Sequence, residues 1–234
     1  MTAFRLRYGA EDVDLQQREQ SFRGYFALET LTLRHRLFEG GWSAPMRREL
    51  FQRGDAVGVL PWDPVTDELV LIEQFRVGAL RDGHSPWMLE LVAGIVEAGE
   101  SDSEVVHREA EEEAGCRLGR LESIATFYPS AGACSEQVRL FVGEVTQSQP
   151  GTVQGLESEH EDILVHQLPR DQVMQMLDRD EINNGHTLIV LQWLPLGLPL
   201  LAAGAAGVRA RLRECVRPSV RACEAVALAA CLQN

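Results

Sequence analysis

Paired thiols are missing from this 234-residue chain: its five cysteines are scattered, odd in number and never spaced as CxxC. That argues against a disulfide-stapled secreted scaffold and against a thiolate metal cluster, and it fits a reduced cytoplasmic setting. Basic charge is in short supply as well. Twenty-two Lys and Arg stand against 35 acidic residues, a net charge of −13. Phosphate backbones need a basic footprint, so general nucleic-acid binding is not expected. A small anionic substrate stays open if metal ions and a few arginines reverse the sign locally. Residues 1–30 are polar and interrupted by charges, and no cleavable leader is read there. An uncharged stretch of twenty-one residues, Leu188 to Val208, has the length of a membrane span but is broken by Pro195, Gly197 and Pro199. Its first half reads as a helix docked on a core, so no membrane partner is expected.

What remains is the composition of an ordinary globular protein, 45% hydrophobic and 24% charged, long enough for one sizeable domain plus a small appendage. One stretch stands out, residues 94–116, GIVEAGESDSEVVHREAEEEAGC. Gly99 permits a turn, Ser101 to Ser103 offer N-cap oxygens, and Gly115 sits where a left-handed residue closes a helix. On that helix Glu109, Glu112 and Glu113 are spaced i, i+3, i+4 and share one side, while Val106, Ala110 and Ala114 form a stripe fit for a core. Like charges at this spacing repel, by a few tenths of a kcal/mol per pair, and Glu111 adds to the crowding. Such density is either a solvated acidic face or a site. Clustered carboxylates with little soft-ligand chemistry nearby suit a hard divalent cation, Mg2+ above all (Mn2+ is also possible), which takes oxygen ligands and keeps waters for phosphate substrates.

Residues 1 to about 20 read as a loose polar start. Strands are expected over Phe22–Leu37, Met46–Gln52, Ala56–Leu60, Glu68–Gln74, Trp87–Ala93, Ile124–Tyr128, Val138–Val145 and Ile163–His166. Helices are expected over Asp171–Arg179 and Gly185–Trp193. Strands and helices mix without a βαβ rhythm, which gives an α+β or mixed-sheet architecture. A second acidic cluster, Glu157 to Asp162, precedes the last strand. Arg47-Arg48 is a basic spot in an acidic chain, and guanidinium forks fit phosphate oxygens if a phosphate substrate binds there. Residues 209–234 carry five Arg and two Glu, a net of +3, which leaves −16 on the rest. Cys215, Cys223 and Cys231 recur there every eight residues, and the segment reads as an appendage.

The pattern Gly94-x5-Glu100-x7-Arg108-Glu109-x2-Glu112-Glu113-x-Gly115 resembles the signature box of the Nudix hydrolases at every fixed position. Within them the chain is most similar to the bacterial ADP-ribose pyrophosphatase branch. Phe22 to Phe26, Arg34 to Phe38, Val70 to Arg76, Pro86-Trp87, Gly155-Leu156 through Glu161-Asp162 and Pro129 carry that likeness over about residues 20–195.

The resemblance implies a mixed-sheet Nudix fold (an α/β/α sandwich) over 53–195. It also implies an N-terminal strand domain over 1–52 that pairs with a second copy as a homodimer, with 196–234 outside it. It implies Mg2+-dependent cleavage of ADP-ribose to AMP and ribose 5-phosphate in the cytoplasm. The implied metal ligands are Glu109, Glu113, the carbonyl of Ala93, and Glu161. Glu112 and Glu100 would stand behind them and Arg108 would hold the helix by pairing with a carboxylate. Glu159 is implied as general base, although spacing leaves open which of Glu159 and Glu161 is base and which is ligand. Arg48 and Arg76 are implied for phosphates or ribose, Glu136 for the terminal ribose, and Tyr25 for stacking on adenine. Tyr25 stands where the branch often has phenylalanine, and Ser130 to Ser135 departs from its glycine-rich loop, which bears on sugar preference. Another nucleotide sugar, a coenzyme or other nucleoside diphosphate derivative as substrate, or a sensor that binds nucleotide sugars without cleaving, are the competing readings. The intact box carboxylates weigh against the sensor.

Overall fold

In the computed structural model, which describes residues 4–83 and 85–202, the chain forms two compact units. The first comprises residues up to Ala56 together with Phe127–Val138; the second comprises Val57–Thr126 and the residues from Arg139 onward. The appendage beyond 202 lies outside the described residues.

The first unit is built on an antiparallel sheet of β1 (Val13–Arg23), β2 (Ala27–His35) and β3 (Met46–Gln52), in that order. The expected loose start is therefore corrected: residues 13–23 are a full strand, paired from Val13↔His35 to Arg23↔Ala27. Its sequence, VDLQQREQSFR, is polar on both faces because nearly every residue is exposed, so the alternation that marks a half-buried strand is absent. Segment 130–135 docks along β3, where the Phe51 amide donates to the Ala133 carbonyl (2.7 Å) and the Ser135 amide donates to the Phe51 carbonyl (3.2 Å).

The second unit carries an eight-stranded sheet of β4 (Ala56–Asp63), β5 (Glu68–Phe75), β6 (Trp87–Glu90), β7 (Val92–Ile95), β8 (Arg117–Phe127), β9 (Val138–Gln147), β10 (Val153–Gln154) and β11 (Ile163–Pro169). Its path runs β10-β11-β5-β4-β9-β8, with β6 on β5 and β7 on β4. β4 and β5 are buried along almost their whole length, which explains their unbroken apolar runs. They meet in the turn ending at Asp67, whose left-handed φ of 56° suits an aspartate. There Asp67 accepts from the Trp62 indole (3.1 Å) and the Arg170 guanidinium (2.7 Å).

Helix α1 (Asp102–Ala114) follows β7. Ser101 accepts from the Glu104 amide while the Glu104 carboxylate returns to the Ser101 amide, and Gly115 closes the helix at φ 57°. Val105, Val106, Ala110, Ala114 and Cys116 are buried against Val57, Val59, Val70, Ile72 and Val92. Burial also pushes the Cys116 thiol up to about 11. Helices α2 (Arg170–Asp178) and α3 (Gly185–Ala202) close the unit, α3 running further than the expected Gly185–Trp193. Among the described residues no helix is long and apolar enough to cross a membrane. The expected α+β architecture with an N-terminal strand sheet is what the chain adopts.

Candidate active site

Three segments of the second unit converge on the carboxylate face of α1: the β7 backbone, the helix itself and the acidic loop before β11. The Ala93 amide donates to Glu113 Oε2 at 3.0 Å. Glu113 is only 3% exposed, and burial followed by the nearby charges of Glu109 and Glu161 pushes its pKa up to about 8, against the Ala93 hydrogen bond and the charge of Arg76. Glu109 is shifted upward too, first by burial and then by Glu112 and Glu161, despite Arg108. The upward shifts mark a spot where negative charge outruns its compensation.

Arg108 is the local counterweight. Its Nη1 donates to Glu109 (2.8 Å) and Glu112 (3.1 Å), and its Nε to Glu100 (3.3 Å). Burial disfavours its charge, but these three carboxylates outweigh that and hold its pKa above the ordinary value. Glu100 is itself fixed by the Glu97 amide at 3.0 Å. The clamp orients α1 and keeps Glu112 directed at Arg108.

Gly94 leaves the space that Glu109 occupies, since a Cβ there would overlap the Glu109 carboxylate. Gly155 plays the same part on the loop. It has a left-handed φ of 102°, a Cβ on it would press on Glu161, and its amide donates to the Glu112 carbonyl at 3.1 Å. The loop then turns so that Glu161 Oε2 accepts the Leu156 amide at 3.0 Å, within the electrostatic field of Glu109 and Glu113. Glu159 lies on a single 3₁₀ turn and is exposed.

Of the residues singled out from the sequence, Ala93, Arg108, Glu109, Glu112, Glu113 and Glu161 come together, with Arg76 close enough to act on Glu113. Among the described residues no three acidic, His or Cys side chains already enclose a common metal position. The donor set nevertheless fits a hard divalent cation: Glu109, Glu113 and Glu161 bring three carboxylates within reach of one another's charge, and the raised pKa values of the buried pair Glu109 and Glu113 are what a cation would relieve.

Tyr25, Arg48 and Glu136 belong to the first unit. Tyr25 is 86% exposed and meets Phe26 edge-on at 4.7 Å. Arg48 lines an open groove of about 430 Å³ with Thr30, Arg47 and Glu49. Glu136 is buried, its pKa raised by burial against the charge of Arg53, which stands 3.4 Å away.

Sequence reasoning missed Glu90, Asn184 and Arg53. Glu90 was legible as the one charge inside the apolar run Trp87 to Ala93. Asn184 was legible as an N-cap residue ahead of Gly185. Arg53 had no local signal.

The family model described as NUDIX domain matches residues 52–189. The chain belongs to the Nudix family. The Nudix chain is 45% identical to an ADP-ribose pyrophosphatase of Escherichia coli K12 over 189 residues, 81% of this chain and 90% of that one. It is 39% identical to an ADP-ribose pyrophosphatase of Haemophilus influenzae over 192 residues, 81% and 88% of the two chains. A GDP-mannose pyrophosphatase of Escherichia coli is 32% identical over 151 residues, covering 64% of this chain and 78% of that one. A crystal structure of an ADP compounds hydrolase superposes with a TM-score of 0.60 at 21% identity, over 80% of this Nudix chain and 97% of that chain, and supports the fold.

Proposed function

We propose that this Nudix enzyme hydrolyses the diphosphate of ADP-ribose to AMP and ribose 5-phosphate with a divalent cation, Mg2+ by preference. The observation that carries the reading is the buried Glu109–Glu113 pair with Glu161 facing it, in a chain 45% identical to an ADP-ribose pyrophosphatase. Glu109, Glu113 and Glu161, with the Ala93 carbonyl, would hold the cation. Bound there, Mg2+ (or Mn2+) would neutralise the diphosphate and make water more acidic.

The protein's own residues supply the rest. Glu161 faces the cluster and is tied to the Leu156 amide, which supports the ligand role for it. Exposed Glu159, two residues earlier, is the better candidate to take the proton of the attacking water as a P–O bond of the bridge breaks. Arg108 and Glu112 keep α1 oriented. Arg76 and Arg48 would hold phosphate or ribose oxygens, Tyr25 would stack on adenine, and Glu136 would meet the terminal ribose. Residues 1–52 would act as the pairing domain of a homodimer in the cytoplasm. Apolar side chains exposed on and beside its sheet, among them Leu15 and Phe22, support that assignment.

Turnover of ADP-ribose with Mg2+ tests the reading. Wild-type protein should release AMP and ribose 5-phosphate, and Glu113→Gln and Glu159→Gln should each lower kcat by roughly a hundredfold or more. Binding without turnover under any divalent metal would instead support a sensor. A second reading, cleavage of another nucleotide sugar, is favoured by the 32% identity to a GDP-mannose pyrophosphatase. It would show as a higher kcat/KM on that class than on ADP-ribose.

A further inference from the structure

Glu90 ends β6 opposite Ile72 of β5, at a point in the sheet where an apolar side chain would be ordinary. It is 3% exposed, and both of its carboxylate oxygens are engaged. Oε2 accepts from Arg76 Nε (2.9 Å) and from Arg76 Nη2 (2.8 Å). Oε1 accepts from the Asn184 side-chain amide at 2.9 Å. A buried carboxylate is tolerated only when paired and hydrogen-bonded in this way.

Asn184 is anchored in turn. Its side-chain oxygen accepts from the Thr187 amide (3.0 Å) and the Thr187 hydroxyl (3.1 Å), and its carbonyl accepts from the Leu188 amide (2.9 Å). It therefore caps α3. The Thr187 hydroxyl oxygen also accepts the Leu91 amide at 3.0 Å, fastening the same helix end to the backbone beside Glu90. Thr187 is fully buried. The chain of contacts runs from the α3 cap through a buried carboxylate to one face of the Arg76 guanidinium.

Arg76 is 43% exposed on its side chain, so one edge of its fork is held while part of it faces solvent. Its backbone is fixed as well, since its amide donates to the Pro86 carbonyl at 2.8 Å. A guanidinium gripped through two nitrogens loses little freedom when a phosphate arrives at its open side.

We infer that Glu90, held by Asn184 at the cap of α3, is a positioning residue that aims Arg76 at the anionic substrate. This rests on the reading of Arg76 as a substrate contact. Glu90 itself touches no substrate: its oxygens are used within the protein.

The test is a cycle of Glu90→Gln, Arg76→Ala and the double variant, assayed for KM and kcat on ADP-ribose and for urea midpoint. Arg76→Ala should raise KM about tenfold or more, the effect of losing a charge-assisted hydrogen bond. Glu90→Gln should raise KM about tenfold with kcat within about threefold, because an arginine that binds ground and transition states alike changes KM alone. In the Arg76→Ala background Glu90→Gln should leave KM within about twofold and should raise the urea midpoint, since it removes a buried unpaired charge. Asn184→Ser keeps a capping oxygen and loses the donor to Glu90; it should raise KM by a smaller factor and reads the same contact if Glu90→Gln does not fold. If Arg76→Ala leaves KM unchanged, the substrate role of Arg76 fails and this inference with it. If Arg76→Ala raises KM and Glu90→Gln does not, the positioning role alone is overturned. An equal rise from Glu90→Gln with and without Arg76 would overturn it too, because Glu90 would then act by another route.

Discussion

Val57, Val59 and Leu60 on β4 and Leu69 to Ile72 on β5 are buried on both faces of their sheet, whereas across β1, β2 and β3 only Thr30 is buried. The two sheets are similar in hydrogen bonding and opposite in burial. Backbone ladders are therefore common to both, and the hydrophobic contribution falls almost wholly on the second unit. A sheet with so little covered surface, and with Leu15 and Phe22 exposed on it, gains most by covering a face with a partner. The carboxylates proposed to hold the cation lie in the unit whose sheet is already packed, where α1 rests its apolar stripe. Desolvation there raises the Glu109 and Glu113 pKa values, so the same burial that stabilises the fold prepares the site.

The contrast can be broken most severely from the buried side. Leu71→Ala should cost about 2–5 kcal/mol in urea unfolding, the range for an emptied core position. Leu15→Ala in β1 should cost under about 0.5 kcal/mol in dilute protein, and under the proposed homodimer it should also shift sedimentation toward the monomer. A Leu15 effect as large as that of Leu71 would erase the distinction.

Gly94→Ala separates site from core within the second unit. The added methyl group must displace the Glu109 carboxylate, a flexible chain end that can swing away. We expect kcat/KM to fall by roughly a hundredfold, the order for a catalytic group moved by about an ångström, with little change in melting temperature. Wild-type turnover in that variant would mean that Glu109 is not needed where it stands.

The smallest effect belongs to the β4–β5 turn. Arg170 first, against a small burial penalty, and then Trp62 lower the Asp67 pKa in the fold. A lowered folded value gives stability that is present above the unfolded pKa of about 3.9 and is lost as pH falls through the folded one. Half-exposed, the pair should contribute under about 1 kcal/mol. Asp67→Asn, which suits the left-handed φ, should remove that much at pH 7 and nothing at pH 2. A loss that persists at pH 2 would assign the effect to the turn rather than to the charge.

These regions also differ in how far the sequence disclosed them. α1 was legible at both ends because its caps act locally: the sequence offered Ser101 to Ser103 at the start, of which Ser101 is the cap, and Gly115 at the end, and its buried stripe follows from a 3.6-residue period. β1 was not, because a strand exposed on both faces carries no alternation. At the site, Glu109 and Glu113 were readable from i, i+4 spacing. The grip of Glu90 on Arg76 spans 14 positions and two strands, and its Asn184 contact spans 94, so neither leaves a local trace.

Cys116, at the foot of α1, offers a use for that packing. Its thiol is fully buried and shifted to about 11, so at pH 8 roughly one in a thousand is thiolate even before access is considered. Alkylation can reach it only when the end of the helix lifts from β4 and β5. The rate of labelling at Cys116, read by peptide mapping, therefore works as a clock for the opening of α1. A ligand that draws Glu109 and Glu113 together should slow that clock in proportion to its occupancy.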